Sequence, residues 1–320
     1  MPGKNEIAAM PDTDQPSSSL AARALRDDIA ALPMLPGMIT SLAMLDLEDP
    51  QYFDKVLQLV RADPGFAVRL LRLANSAASG SHNSVGTVEM ALIRVGARAT
   101  VELMLAEKAV LIFPAHEPWQ RDLWGHSLLV ASYMRRLAPM LIDERLDANE
   151  AYLAGLLHDI GRFLMFARMP EAFETIEDAG WNTPSGLLDA EMAACSCTHT
   201  QLAYEAMMQW RLPPQLALAA RDHHRTHSDS GHGKVDVLVA LLRDVDWLAM
   251  IVAREGSAWL EQPPQACEDA CDANMRLRYR GDIAHRLAIL RGATLETSRL
   301  LTALGMHEAL PAVASEGSGR

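Results

Sequence analysis

The stretch AGLLHDIGR, Ala154 to Arg162, sets an imidazole beside a carboxylate at the end of an apolar run. Such side chains supply nitrogen and oxygen donors that suit Zn, Mn, Fe, Ni or Mg, with geometry deciding among them. Neighbouring residues on an ideal helix point about 100° apart, so His158 and Asp159 can grip one ion or bridge two. Further donors are spread along the chain. His126 lies in LWGHSLLVA, His199 in CTHTQLAYE, His223 and His224 in ARDHHR, and Asp244 in LLRDVDWLA. Each stands inside or at the edge of an apolar helical stripe. A metal site in a helical bundle needs donors projecting inward from several facing helices. Two ions roughly 3.5–4 Å apart could then clamp a phosphate and draw hydroxide from water, which hydrolyses a phosphoester.

Each of these residues also has a plainer reading. His158 and Asp159 can be a buried, hydrogen-bonded pair kept for packing. His223 and His224 can end a helix, where an imidazolium favours the dipole. Asp246 reads as a surface residue, and Asp122 shares the face of His126 with little else to make it a ligand. Cys195, Cys197 and His199 lie close in CSCTH, but no second pair stands at zinc-finger spacing. Cys267 and Cys271 fall in an acidic stretch read as a loop, and His227 and His232 in a polar one. In RLLRLANSA, Asn75 and Ser76 read as a helix cap, with Arg69 and Arg72 on a solvated face. Met34, Met38 and Met44 read as core fillers.

The elements that must position these donors are helices. SLAARALRDDIAAL repeats apolar residues at near-helical intervals, and LPMLPGM breaks it because proline cannot continue a helix interior. ITSLAMLDLE, YFDKVLQLVRAD and DPGFAVRLLRLANSA follow, the last with Asp63 as N-cap and Pro64 at its first position. TVEMALIRVG and ATVELMLAEKAVLIF complete a first block, and Pro114 and Pro118 mark its boundary. Beyond it, DLWGHSLLVASYMRRLAPML opens a second block. DANEAYLAGLLHDIGRFLMFA reads as one long amphipathic helix. LPPQLALAARDHHR and KVDVLVALLRDVDWLAMIV read as two more. No β-alternation of useful length is visible, so the fold class is all-α in two helical subdomains. The boundaries expected are a disordered tail over 1–19, a first subdomain over 20–115, a second over 119–310 and a flexible tail over 311–320.

Composition sets outer limits. The 320 residues are 49% hydrophobic and 22% charged, which allows a sizeable core and argues against global disorder. A net charge of −12 argues against broad nucleic-acid binding, which needs clustered Lys and Arg. No apolar run approaches the roughly 20 residues of a membrane span, and the N-terminus has no secretory signal, so a cytoplasmic location is expected. The four cysteines are expected to be free thiols.

The order of His126, His158-Asp159 and a distal Asp244 resembles the HD superfamily of metal-dependent phosphohydrolases. LPMLPGM, RADPGFAVRLLRLANSA, SVGTVEMALIRVGARAT, LWGHSLLVA, AYLAGLLHDIGRFLM and WRLPPQLALAARDHH resemble, in order, the blocks of one branch, the HDOD family of bacterial signalling proteins. The resemblance spans about Leu25 to Ile251. It implies an N-terminal helical subdomain packed on an HD-like bundle, and a regulatory role that binds a signalling partner or a nucleotide second messenger without catalysis. The alternative it implies is a metal-dependent phosphohydrolase of nucleotides or cyclic dinucleotides. His126, His158, Asp159, His199, His223, His224 and Asp244 stand where the related HD-GYP phosphodiesterases would place ligands, and Arg162 would neutralise phosphate. Two departures weigh against activity. RTHSDSGHGK replaces the GYP segment, and Arg162 replaces a lysine, giving a fork in place of a point charge.

Overall fold

A computed structural model describes residues 49–76, 85–142, 144–181, 183–225 and 233–306. The expected tails, the helices SLAARALRDDIAAL and ITSLAMLDLE, the LPMLPGM break with Met34 and Met38, Met44, and the pair His227 and His232 lie outside the described residues. Among those described, the fold is all-α. The nearest thing to a sheet is one isolated antiparallel bridge, Leu141 to Tyr279.

The first helices are set by their caps. α1 (Tyr52–Ala62) buries Val56, Leu57 and Val60 on one face. α2 (Pro64–Ser76) starts as its sequence requires, with Pro64 first and the Asp63 carboxylate accepting from Phe66 N at 3.0 Å. Asn75 is more than a cap: it donates to Val85 O at 3.0 Å and accepts from Val85 N at 2.7 Å, tying the end of α2 to the approach to α3. α3 (Val88–Val95) is capped by Thr87, and Gly96, at φ +91°, turns the chain into α4 (Ala97–Ile112). Only glycine adopts that backbone without strain.

α5 (Pro118–Leu137) is the central pillar. A capping box of Glu117 and Gln120 starts it, and it is buried almost all round from Leu123 to Leu137. A helix apolar on every face must be packed on every face. α6 (Ala148–Leu157), capped by Asp147, runs along α5, and Gly155 permits their close approach. A Cβ there would stand 2.7 Å from the Ala131 Cα.

The run expected as one long helix is two. α6 ends at Leu157, and α7 (Ile160–Arg168) begins after a turn formed by His158 and Asp159. Gly161 explains the new direction. It sits so close to the His199 carbonyl that any Cβ would overlap that oxygen. α8 (Pro170–Asp178) and α9 (Pro184–Cys195) follow, then α10 (His199–Gln209), which Thr198 and Gln201 start with a second capping box. α11 (Pro214–Asp222) and the long α12 (Lys234–Glu255) complete the bundle around α5 and α6. α13 (Pro264–Asn274) and α14 (Ile283–Ala303) close it. Cys267 and Cys271 therefore lie on a helix and not in a loop; Cys267 is buried and accompanies Trp259 O. Their acidic neighbours form the exposed face of α13. No helix among the described residues is long and apolar enough to cross a membrane.

The helices on either side of Pro114 are joined by polar contacts as well as packing. Trp124 Nε1 donates to Phe113 O at 3.0 Å. Arg135 on α5, 3% exposed, pairs with Glu102 on α4 and donates to Asn149 on α6.

Candidate metal centre

Six helices, or their ends, bring donors to one point. His126 comes from the middle of α5, His158 and Asp159 from the α6–α7 turn, and His199 is the first residue of α10. His223 and His224 follow the last turn of α11, and Asp246 lies midway along α12. His158, His199 and His223 are fully buried or nearly so, and His126 is the most open of the set, its side chain 17% exposed.

Local structure aims each ring. His158 Nδ1 donates to Gly155 O at 2.7 Å, and His223 Nδ1 donates to Ala220 O at 2.7 Å. The same device is used twice: a histidine at a helix C-terminus satisfies a last-turn carbonyl three residues back. A carbonyl accepts and cannot donate, so each Nδ1 carries the proton and each Nε2 carries a lone pair. Those lone pairs face inward, His158 Nε2 toward His126 Nε2 at 3.3 Å and His223 Nε2 toward His199 Nε2 at 3.5 Å. His199 is held by a carboxylate. Glu191 on α9, fully buried, accepts from its main-chain N at 2.9 Å and from Nδ1 at 2.7 and 2.8 Å. Outer partners of this kind fix tautomer and ring orientation around metals.

Two aspartates connect the rings. Asp159 Oδ2 lies 3.5 Å from His158 Nε2 and 3.9 Å from His126 Nε2, while Oδ1 lies 3.3 Å from His199 Nε2 and 3.8 Å from His223 Nε2. One oxygen thus serves each half. Asp246 repeats the pattern, with Oδ1 3.0 Å from His126 Nε2 and 3.8 Å from His158 Nε2, and Oδ2 4.0 Å from His224 Nδ1. Asp159 begins α7 without capping it, which leaves its carboxylate to the histidines. Two sets of three donors result, His126–His158–Asp159 and His199–His223–His224, each with its donor atoms within 4.8 Å of one another.

Electrostatics match the geometry. Burial disfavours the charged form of His158 and pushes it below the ordinary histidine value; burial with the neighbouring His224 pushes His223 well below it. His224 falls to about 4, chiefly through burial. These rings are therefore neutral, which does not favour the alternative reading of His223 and His224 as an imidazolium at a helix C-terminus. Burial opposes charge at His126 and His199 too, but Asp246 and Glu191 respectively overcome it and raise both. Asp159 and Asp246 are held low by surrounding histidines, against the cost of burial. The centre therefore carries two ionised carboxylates and inward-facing imidazole lone pairs, which is the donor chemistry a pair of divalent cations requires.

Six of the seven expected ligands are brought together, and Asp244 is not. Its carboxylate accepts from Arg276 N at 2.9 Å, Leu277 N at 3.0 Å and Tyr279 Oη at 2.9 Å, anchoring the chain after α13. Positions 244 and 246 lie about 200° apart on a helix, so only one can face the centre. Asp246, expected at the surface, is the one that does. Periodicity does not choose between them because both faces of α12 are buried here. Glu191 is absent from the residues the sequence singles out. Its signal is its i,i+4 spacing from the buried Leu187, which places a carboxylate on the core face of α9. Arg162, 14% exposed, lies over the rings of Phe166 and Trp181 with Nη2 3.7 Å from Glu177 Oε1, and its charge adds to the lowering of Asp159.

Comparison with known proteins agrees with this architecture. The HDOD domain pattern matches residues 32–226. A proposed phosphohydrolase of Shewanella amazonensis SB2B superposes with TM-score 0.61 at 23% identity, over 87% of this chain and 98% of that one. An HDOD domain protein of unknown function from Geobacter sulfurreducens gives 0.61 at 20% identity, over 90% and 97%. A proposed signal transduction protein from Marinobacter aquaeolei VT8 gives 0.58 at 21%, over 88% and 61%. An uncharacterized protein of Treponema pallidum (strain Nichols) is 25% identical over 213 residues, 66% of this chain; the match spans only 41% of that relative's length. At these identities the solved structures speak to fold alone. The domain match, though, covers more than half of the chain and takes in every donor of the centre except Asp246, and on that ground the chain belongs to the HDOD domain family.

Proposed function

We propose that this HDOD protein is a signalling component whose buried centre holds two divalent cations and hydrolyses a phosphoester of a nucleotide class. The observation that supports it is the division of Asp159 between two histidine sets, one carboxylate oxygen to each. His126, His158 and Asp159 would hold one ion and His199, His223 and His224 the other, with Asp246 reaching both. A pair of such ions supplies charge neutralisation at a phosphate and an activated water. The chain's own residues do the rest. Gly155 O, Ala220 O and Glu191 keep three rings in the ligating tautomer. Phe166 and Trp181 cover Arg162, which places a guanidinium beside the centre to meet phosphate charge, with Glu177 to be displaced. His126, the most open donor, marks the side from which substrate approaches.

A second reading has its own support. Apart from His126, the donors are almost inaccessible, which suits ions that hold the bundle in shape while an outer surface binds a signalling partner. Turnover separates the two. The full chain supplied with Mn²⁺ is assayed on p-nitrophenyl phosphate, bis-p-nitrophenyl phosphate and a panel of nucleotides and cyclic dinucleotides, beside Asp159→Ala. Hydrolysis abolished by the substitution supports the first reading. Stoichiometric metal without turnover supports the second.

A further inference from the structure

A cavity of about 340 Å³, with none of the histidines in its lining, lies where α2, α3 and α4 meet α5, α6 and α14. Its size falls within the range of small-molecule sites. Its lining is unusual for a chain of net charge −12. Four arginines, Arg94, Arg98, Arg136 and Arg299, share it with two glutamates, Glu102 and Glu296. Glu102 is also committed to the buried Arg135, and Glu296 to Arg136, so positive charge is left in excess. Desolvation and the neighbouring charges of Arg135 and Arg136 destabilise the charged form of Arg98. Its Nε lies 3.5 Å from Glu102 Oε1 and makes no hydrogen bond. An anion would relieve that crowding.

A second observation points the same way. Tyr152, 1% exposed, lines the cavity, and its buried hydroxyl has no hydrogen-bond partner. Buried polar groups are almost always satisfied, so an orphan beside a cavity calls for a ligand or an ordered water. The Arg135 guanidinium sits 4.8 Å above the Tyr152 ring and helps to fix it. Most of the remaining lining is apolar, with Leu73, Val95, Leu128 and Leu300, and Ser132 and Thr297 add two hydroxyls. Arginine forks suit phosphate oxygens, and the aliphatic walls suit a planar base more than they suit a bare inorganic ion.

We infer that this cavity binds a phosphorylated organic anion of mononucleotide size, in a site separate from the metal centre. Two of its six lining helices also lead to the histidine cluster: α5 bears Arg136 and His126, and α6 bears Tyr152 and leads into His158. The inference does not depend on whether the metal centre is catalytic.

Titration calorimetry of the full chain with AMP, GMP, CMP and UMP, and with inorganic pyrophosphate, tests it. The expectation is sub-millimolar binding of at least one mononucleotide and weaker binding of pyrophosphate. Arg299→Ala, at the exposed rim, and Arg98→Ala should each weaken it by about tenfold or more, since each removes a charged donor. Tyr152→Phe keeps the packing and should weaken it by a smaller factor. His158→Ala should leave it unchanged. Failure of all four mononucleotides to bind, or binding that ignores Arg299→Ala and Tyr152→Phe, overturns the inference. Binding abolished by His158→Ala also overturns it, because the ligand then sits at the histidines.

Discussion

At the scale of single residues, Asp244 and Asp246 show how the same side chain two positions apart does different work. Asp246 spans His126 and His224, whereas Asp244 accepts two main-chain N–H groups and a tyrosine hydroxyl. Asp246→Ala should therefore lose metal affinity by at least tenfold in a chelator competition. Asp244→Ala should keep the metal but lose about 2–4 kcal/mol in urea unfolding, as buried donors go unpaired. Titration of the rings gives a pH dependence. His126 and His199 hold protons above the ordinary histidine value, and an ion must displace them. His158, His223 and His224 are already neutral at pH 7. Metal affinity should be greatest above the raised values and fall as pH drops through them, by about ten- to a hundredfold per unit for one or two protons released. Affinity measured between pH 8 and 6 that stays flat would contradict this.

At the scale of elements, the HDIG stretch is explained by a turn. His158 ends one helix and Asp159 begins another, so their side chains leave the backbone at a break and reach opposite partners. Gly161 holds that break against α10, because its missing side chain lets α7 press onto the carbonyl of His199, itself a member of the centre. Gly161→Ala should push α7 from α10, cost about 1–3 kcal/mol or more, and lower metal occupancy together with Tm. Unchanged occupancy in a folded variant would contradict the positioning role. Much of this level was legible in advance. Pro64 and Pro214 begin helices, and Asp63 caps one, as their sequence positions indicate; Pro118, read as a boundary, begins α5 a turn earlier than the apolar pattern does. The break at 158–159 was not legible, because Leu156, Leu157 and Ile160 keep the apolar spacing through it and the cause lies in a carbonyl some way along the chain, on α10.

At the scale of the whole molecule, α5 links the histidine cluster to the first helices. It carries His126 at its middle and Arg135 near its C-terminal end, where a buried cation joins α4, α5 and α6. Glu102→Ala would strand that guanidinium and should cost about 3–5 kcal/mol, read as a lower urea midpoint. The all-α class was legible in the apolar stripes, and the resemblance to HD proteins singled out six of the residues that lie together; their convergence itself was not encoded in the spacing. Which aspartate of α12 joined them, and that Glu191 stood behind His199, depended on how helices rotate when packed, which spacing along one helix does not encode.

The central claim is that Asp159 lies between two ions. Anomalous diffraction at the Mn edge from crystals of the full chain grown with Mn²⁺ tests it directly. We expect two peaks, one beside His126 and His158 and one beside His199, His223 and His224, both lost in Asp159→Ala. No peak at these residues, or peaks that persist without the Asp159 carboxylate, would contradict the account.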